Sequence, residues 1–294
     1  MNLLTRVKKS LRHRAAHQAS QPLSKLLSLT GFGRYGPGPQ LKSPEPLRQA
    51  GIPYETFRFD VAGLDRFWNE LQAGSPVLRH YCSLQPYWEK RSQYHYSWTQ
   101  LAPLLSREDA VYVDIASTLN SPYLEVIRAL AKTRNVFVQD LVFPPGINGH
   151  EIGGSAAELP LGNASVDAMT LHCSFEHFEG TADTGFIREA ARVLRPGGRV
   201  CIVPLYLGEY AFTMCDPAWG YDIRREAEPV IHLFPGWGER HGRFYGVDTL
   251  KERVLDPAHA AGLTSRVIHF ENILELHPTC YTHFGLVLEK PAVG

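Results

Sequence analysis

Asp140 is the first residue of this 294-residue chain whose type and place suggest chemistry. It closes the run Val136-Phe137-Val138-Gln139-Asp140, downstream of an earlier apolar run, Val111-Tyr112-Val113-Asp114-Ile115, and its turn. An acid at the tip of a second strand, about twenty residues past the first loop, is set to accept hydrogen bonds from ribose hydroxyls. Further on, His172-Cys173 and Glu176-His177 follow a third apolar run. A histidine titrating near neutrality can take a proton from a hydroxyl or an amine. The spacing of His172, Glu176 and His177 is no recognised ligand signature, so no metal is expected. Arg240-His241-Gly242-Arg243 sets two guanidinium groups beside a glycine that exposes backbone amides.

The elements that must hold these residues can be read from pattern. Val111–Ile115 and Val136–Val138 are β-branched runs suited to buried parallel strands. Between them Ser121-Pro122 opens a helix, with Leu124, Ile127, Leu130 and Ala131 on one face. Ala168–His172 reads as a strand. Phe186–Leu194 reads as a helix stopped by Arg195-Pro196-Gly197-Gly198, and Arg199–Pro204 as another buried strand. Upstream, 64–71 and 94–105 look helical. Gly31, Gly33 and Gly36 spell a G-x-G-x-x-G, but no strand precedes them and Pro37 and Pro39 forbid a helix after them. Residues 31–46 therefore read as a linker or surface loop.

Composition narrows the class. Hydrophobic content of 44% and charged content of 20% describe a globular protein. The zero formal net charge hides an asymmetry: residues 1–44 hold eight basic residues and no acid, leaving 22 basic and 30 acidic residues in 45–294. An acidic body disfavours nucleic-acid binding. Leu3, Leu4, Val7 and Leu11 stripe the basic arm. The arm is readable as peripheral contact with an anionic membrane, as a solvated arm, or as an organellar presequence. The five cysteines are scattered, with no C-x-x-C pair, which suggests reduced thiols and a cytoplasmic setting.

Four signatures, in order, resemble the type 11 branch of the class I S-adenosylmethionine-dependent methyltransferases. They are Val113-Asp114-Ile115, Asp140, Glu158-Leu159-Pro160-Leu161 with Ser165-Val166-Asp167-Ala168, and Ala191-Arg192-Val193-Leu194-Arg195-Pro196-Gly197-Gly198. The resemblance implies an α/β fold: a Rossmann-like doubly wound, mostly parallel seven-stranded sheet with helices on both faces. Residues 1–46 would form the arm and linker, 47–105 a helical lead-in, and 106–294 the methyltransferase-like domain. Within it, 205–246 would be a substrate-side insertion, and 268–276 with 284–288 the final antiparallel pair.

The implied cofactor is S-adenosylmethionine. Carried over by position, Asp114, Ala116, Thr118, Asp140, Leu141, Ser155, Ala156 and Cys173 would bind it, and His177, then His172, would serve as base. Tyr206, Arg240, His241 and Arg243 would face a small-molecule acceptor, with a sugar or glycan precursor suited to aromatic faces and arginine forks. The same segment is also readable as an aromatic mini-core with solvated arginines. Two departures stand out. Ala116, Thr118 and Asn120 occupy the places of the family's three loop glycines, and Ser155 replaces its adenine-binding aspartate. They open a second reading, a methyltransferase-like scaffold or regulatory partner that has lost cofactor binding.

Overall fold

The computed structural model describes residues 20–83, 88–219 and 230–292. The arm's stripe at 1–19, Tyr87, Tyr221, Arg224 and Arg225 lie outside the described residues. In chain order the elements are α1 (20–29), β1 (Arg34–Tyr35), α2 (Glu45–Gln49), β2 (Tyr54–Phe57), α3 (Val61–Gly74), α4 (Pro76–Ser83), α5 (Trp88–Leu105), β3 (Val111–Ile115), α6 (Pro122–Leu130), β4 (Asn135–Asn148) and β5 (Glu151–Gly153). There follow β6 (Val166–His172), α7 (Ala182–Val193), β7 (Leu194–Val203), β8 (Phe212–Cys215), β9 (Ile231–Leu233), β10 (Gly242–Phe244), α8 (Val247–Leu250), α9 (Asp256–Ala260), β11 (Thr264–Phe270), α10 (Ile273–Leu276) and β12 (Phe284–Glu289). Among the described residues no helix is long and apolar enough to cross a membrane.

The chain divides into two compact units. The larger comprises 42–175, 181–205 and 251–294. Its sheet has eight strands in the order β2-β11-β12-β7-β6-β3-β4-β5. β3, β4, β6 and β7 run parallel, and β12 lies antiparallel to both β7 and β11. This is the doubly wound frame, with one strand more than the seven expected. The extra strand is β2, which pairs parallel to β11 from Tyr54 opposite Val267 to Phe57 opposite Phe270. Tyr54, Thr56 and Phe57 favour a pleated surface, so a strand stands in the lead-in that reads as helical. Residues 271–276 leave the sheet and turn into α10. Tyr112, Ala168 and Cys201 share one core with Trp68 of α3, Leu101 of α5 and Ile127 of α6. Trp68 is fully buried, and its indole N–H reaches the Arg91 carbonyl at 3.1 Å. α7 packs on β7 and α9.

The β4–β5 connection departs from the usual crossover. No helix intervenes. β4 runs on past Asp140, then folds back so that Gly146, Ile147 and Asn148 pair with Gly153, Ile152 and Glu151. β5 thus lies between the two limbs of β4. A Cβ on Gly153 would fall 1.9 Å from the Pro144 carbonyl oxygen, so only glycine fits there. The fold-back leaves Leu141 and Val142 about three-quarters exposed, at 75% and 76%.

The smaller unit, described over 20–41, 176–180 and most of 206–250, holds a sheet in the order β1-β9-β8-β10. β1 lies in the stretch that reads as a linker. Gly33 permits it: a Cβ there would sit 2.8 Å from the Ile231 carbonyl oxygen. Asp216 is fully buried and gathers the unit's loops. Its carboxylate accepts the Ser20 hydroxyl at 2.5 Å, the Ala218 N–H at 3.1 Å, and the N–H groups of Gly236 and Gly238 at 2.8 and 3.2 Å. Phe212 and Phe244 stack at 4.5 Å across β8 and β10.

Candidate active site

In the larger unit, β3 and β4 are adjacent parallel strands paired as far as Ile115 opposite Gln139; Asp114 lies within that ladder and Asp140 follows it, inside β4. Asp114 is 2% exposed. Its Oδ2 accepts the Ser117 hydroxyl and its Oδ1 the Thr170 hydroxyl, both at 2.7 Å. Burial pushes its carboxyl up from the usual range, against the pull of these hydroxyls. Asp140 is half-buried, and its Oδ1 accepts the Val142 N–H at 3.0 Å in a local turn.

The loop between β3 and α6 makes its turn without glycine. Ala116 stands at φ +52°, a left-handed conformation unusual for a residue with a Cβ, whereas Thr118 is not among the left-handed residues. The β-branched side chain therefore bears no such strain. Gln139 braces the turn: its side-chain oxygen accepts the Ala116 N–H at 3.2 Å, its backbone oxygen accepts the Ser117 N–H at 2.9 Å, and its amide donates to the Gly154 carbonyl at 2.6 Å. Two substitutions separate these positions. Ala116→Gly is expected to raise stability by up to about 1 kcal/mol by relieving the left-handed alanine. Thr118→Gly is expected to lower it by about 0.5–1 kcal/mol through chain entropy alone. Urea midpoints check both, and a gain from Thr118→Gly would contradict the loop path.

Ser155 is exposed, and its hydroxyl oxygen accepts the Ala157 N–H at 3.2 Å. Ala156 beside it is buried. At the end of β6, Cys173 also adopts a left-handed φ, +52°. Its Sγ lies 3.5 Å from Gln93 Oε1 and 3.6 Å from the Tyr281 hydroxyl. His172 Nε2 pairs with the Ser97 hydroxyl at 2.9 Å, and Tyr94 and Tyr123 pack edge-on to the ring at 4.9 and 4.4 Å. Burial, and then the Lys90 ammonium, hold its pKa well below the imidazole norm, so the ring is neutral at pH 7. Its Nδ1 is buried without a hydrogen-bond partner.

Lys90, Gln93, Thr170 and Tyr281 escape the sequence reading. Each reaches the strand ends only through tertiary docking of α5, β6 or the loop before β12. Gln139 alone carried a signal, as the residue before the strand-tip acid.

His177 belongs to the smaller unit, as do Tyr206, Arg240, His241 and Arg243. His177 Nδ1 donates to the His241 carbonyl at 2.5 Å, and Nε2 lies 3.7 Å from Glu176 Oε1. Arg240 forks onto the Glu179 carboxylate at 2.7 and 2.9 Å. Arg243 is 1% exposed and donates to the carbonyls of Phe178 and Gly180 at 2.7 and 3.0 Å. Both guanidinium groups that read as acceptor ligands therefore have partners within the chain. Tyr206 packs against Phe244 at 4.9 Å. Among the described residues no group of three His, Cys, Asp or Glu could hold a metal.

The type 11 methyltransferase-domain family matches residues 107–202. No protein among the curated sequences matches the chain. Solved structures with a similar course include a 1,6-didemethyltoxoflavin N1-methyltransferase from Burkholderia thailandensis. It is 15% identical, covers 86% of this chain and 94% of its own, and has a TM-score of 0.45. Another is the geranyl diphosphate C-methyltransferase of Streptomyces coelicolor, 12% identical over 70% of this chain and 86% of its own, TM-score 0.39. A third is an S-adenosylmethionine-dependent methyltransferase from Mesorhizobium loti, 16% identical over 65% and 96%, TM-score 0.41. At such identities and scores these are distant likenesses. The family match, to a methyltransferase domain, covers about a third of the chain, the stretch that holds Asp114 and Asp140.

Proposed function

We propose that the chain transfers a methyl group from S-adenosylmethionine to a small-molecule acceptor, with a sugar or glycan precursor as the acceptor class. The carrying observation is the pair Asp114 and Asp140, on neighbouring parallel strands beside a left-handed turn at Ala116. The orphaned Nδ1 of His172 at the end of β6 adds a buried polar atom that a ligand would satisfy. These residues fit the cofactor, which when bound supplies an activated methyl carbon.

Asp140 would accept the ribose hydroxyls. Asp114 would hold the loop of Ala116 and Thr118 against the methionine end. Adenine contact falls to Ala156 and Leu141, because the Ser155 hydroxyl already serves its own turn. Cys173 would line the strand-end side. His177 is the base: with its proton on Nδ1, the Nε2 lone pair can take a proton from an acceptor hydroxyl or amine. His172, with its depressed pKa, orients rather than abstracts. The aromatic faces of Tyr206 and Trp237 carry the sugar reading, since the arginine forks are engaged elsewhere.

One observation favours the scaffold reading: the Ala116 and Ser117 amides are already donated to Gln139. Titration calorimetry separates the two. Under the enzyme reading, S-adenosylmethionine and S-adenosylhomocysteine bind with micromolar Kd, about −8 kcal/mol, and Asp140→Ala weakens both by at least about tenfold. Absence of heat and of any thermal shift at millimolar ligand would establish the scaffold instead.

A further inference from the structure

We infer that Arg240-His241-Gly242-Arg243 is a latch that fixes the tautomer of His177, so that these residues position the base rather than bind the acceptor. The inference rests on the reading of His177 as base.

A carbonyl oxygen only accepts hydrogen bonds. The contact from His177 Nδ1 to the His241 carbonyl at 2.5 Å therefore puts the neutral ring's proton on Nδ1 and the lone pair on Nε2. That carbonyl does not stand alone. On one side of it Arg240 grips the Glu179 carboxylate with two bonds. On the other, Arg243 bridges the Phe178 and Gly180 carbonyls. The three residues after His177 are thus stitched to the two arginines that flank His241 and Gly242. A bridge of this kind needs the planar fork of arginine, because one ammonium cannot match the paired geometry.

Gly242 completes the latch. A Cβ there would fall 2.2 Å from Trp237 Cη2, and the Trp237 ring lies 6.0 Å from the His177 imidazole. The missing side chain lets the indole lie beside the histidine. His241 itself is 3% exposed, and burial with the neighbouring Arg243 cation lowers its pKa to about 4. At neutral pH its ring adds no charge next to His177. An acceptor-binding reading needs forks that face outward, but Arg243 is buried and both forks close on the chain.

The test reads the tautomer directly by long-range nitrogen–proton NMR on the full-length protein labelled at histidine nitrogen. His177 is assigned by the signal lost in His177→Gln. In its neutral state the wild-type ring is expected to show one tautomer, with the proton on Nδ1. Arg243→Lys and Glu179→Gln are expected to admit the Nε2–H form. They should also lower S-adenosylmethionine turnover, with a panel of small hydroxyl and amine acceptors, by about tenfold through misplacement of the base. Glu179→Gln alters an exposed pair, so it keeps the test open if Arg243→Lys fails to fold. An Nε2–H or averaged wild-type ring, or folded variants with an unchanged tautomer, overturns the latch. If the variants free the ring but His177→Gln still turns over cofactor at the wild-type rate, the latch stands and the base reading falls.

Discussion

Arg253→Ala will lower the stability of the larger unit by about 3–5 kcal/mol, because it removes the cation paired with a buried carboxylate. Asp183, in the first turn of α7, is fully buried. Arg253 meets it with two bonds, Nη2 to Oδ1 at 2.7 Å and Nε to Oδ2 at 2.9 Å. The Thr184 hydroxyl closes the loop by donating to the Arg253 carbonyl at 2.9 Å. Without the guanidinium, the carboxylate loses two charge-assisted bonds, for which the Thr184 N–H at 2.8 Å and the helix N-terminus are weaker substitutes. The exposed Arg48–Glu45 pair provides the contrast: both partners are solvated, so Arg48→Ala should be near neutral. Urea unfolding of the two variants decides. A loss below about 1 kcal/mol for Arg253→Ala would mean that water enters and solvates Asp183.

Acidification will destabilise the fold well before its ordinary carboxylates protonate. His241 titrates at about 4 in the folded chain, against an unperturbed value of 6.5. Between these values the unfolded chain binds a proton that the folded chain refuses, so stability rises with pH across the window. It is complete above pH 6.5 and drains as pH falls towards 4. The shift corresponds to about 3 kcal/mol for His241 alone. His283, lowered to about 4 by burial and by Lys42, and His172, lowered well below the imidazole norm by burial, act with the same sign. Asp114 acts the other way, because its raised carboxyl pKa makes the folded state the better proton acceptor at low pH. The histidines outnumber it. Urea midpoints at pH 7.5, 6 and 5 should fall in that order, and His241→Gln should flatten part of the slope. A midpoint unchanged from pH 7.5 to 5 would refute the assignment.

The central frame was legible because its strands are buried on both faces. Val111–Ile115 and Arg199–Val203 read as near-continuous apolar runs, and Arg195-Pro196-Gly197-Gly198 marks the end of α7 with little ambiguity. Asp140 stands out in the sequence for the same reason, as the polar residue that follows such a run. What stayed hidden depends on partners far away in the chain. β2 is four residues long and partly exposed, so its sequence carries no burial signature. Phe143-Pro144-Pro145-Gly146 reads as a break, yet it is the bend of the fold-back around β5. The three-residue strands β9 and β10 lie below the length at which periodicity speaks. His172 and His177, near neighbours in sequence, fall in different units, which no spacing rule would reveal. Arg240 and Arg243 look like ligand forks until the carbonyls and carboxylate that they hold are located.

The pairing of β2 with β11 also sets an order of events on the ribosome. Tyr54 must wait for Val267, about two hundred residues of synthesis later, which takes on the order of ten seconds or more at ordinary elongation rates. Until then Phe57 and Phe59 lack Phe270, the ring that each of them meets in the finished sheet. A nascent chain halted before residue 264 carries these aromatics without that cover, beside an unpaired strand edge of the kind that promotes aggregation. The last strands to emerge thus shelter one of the first.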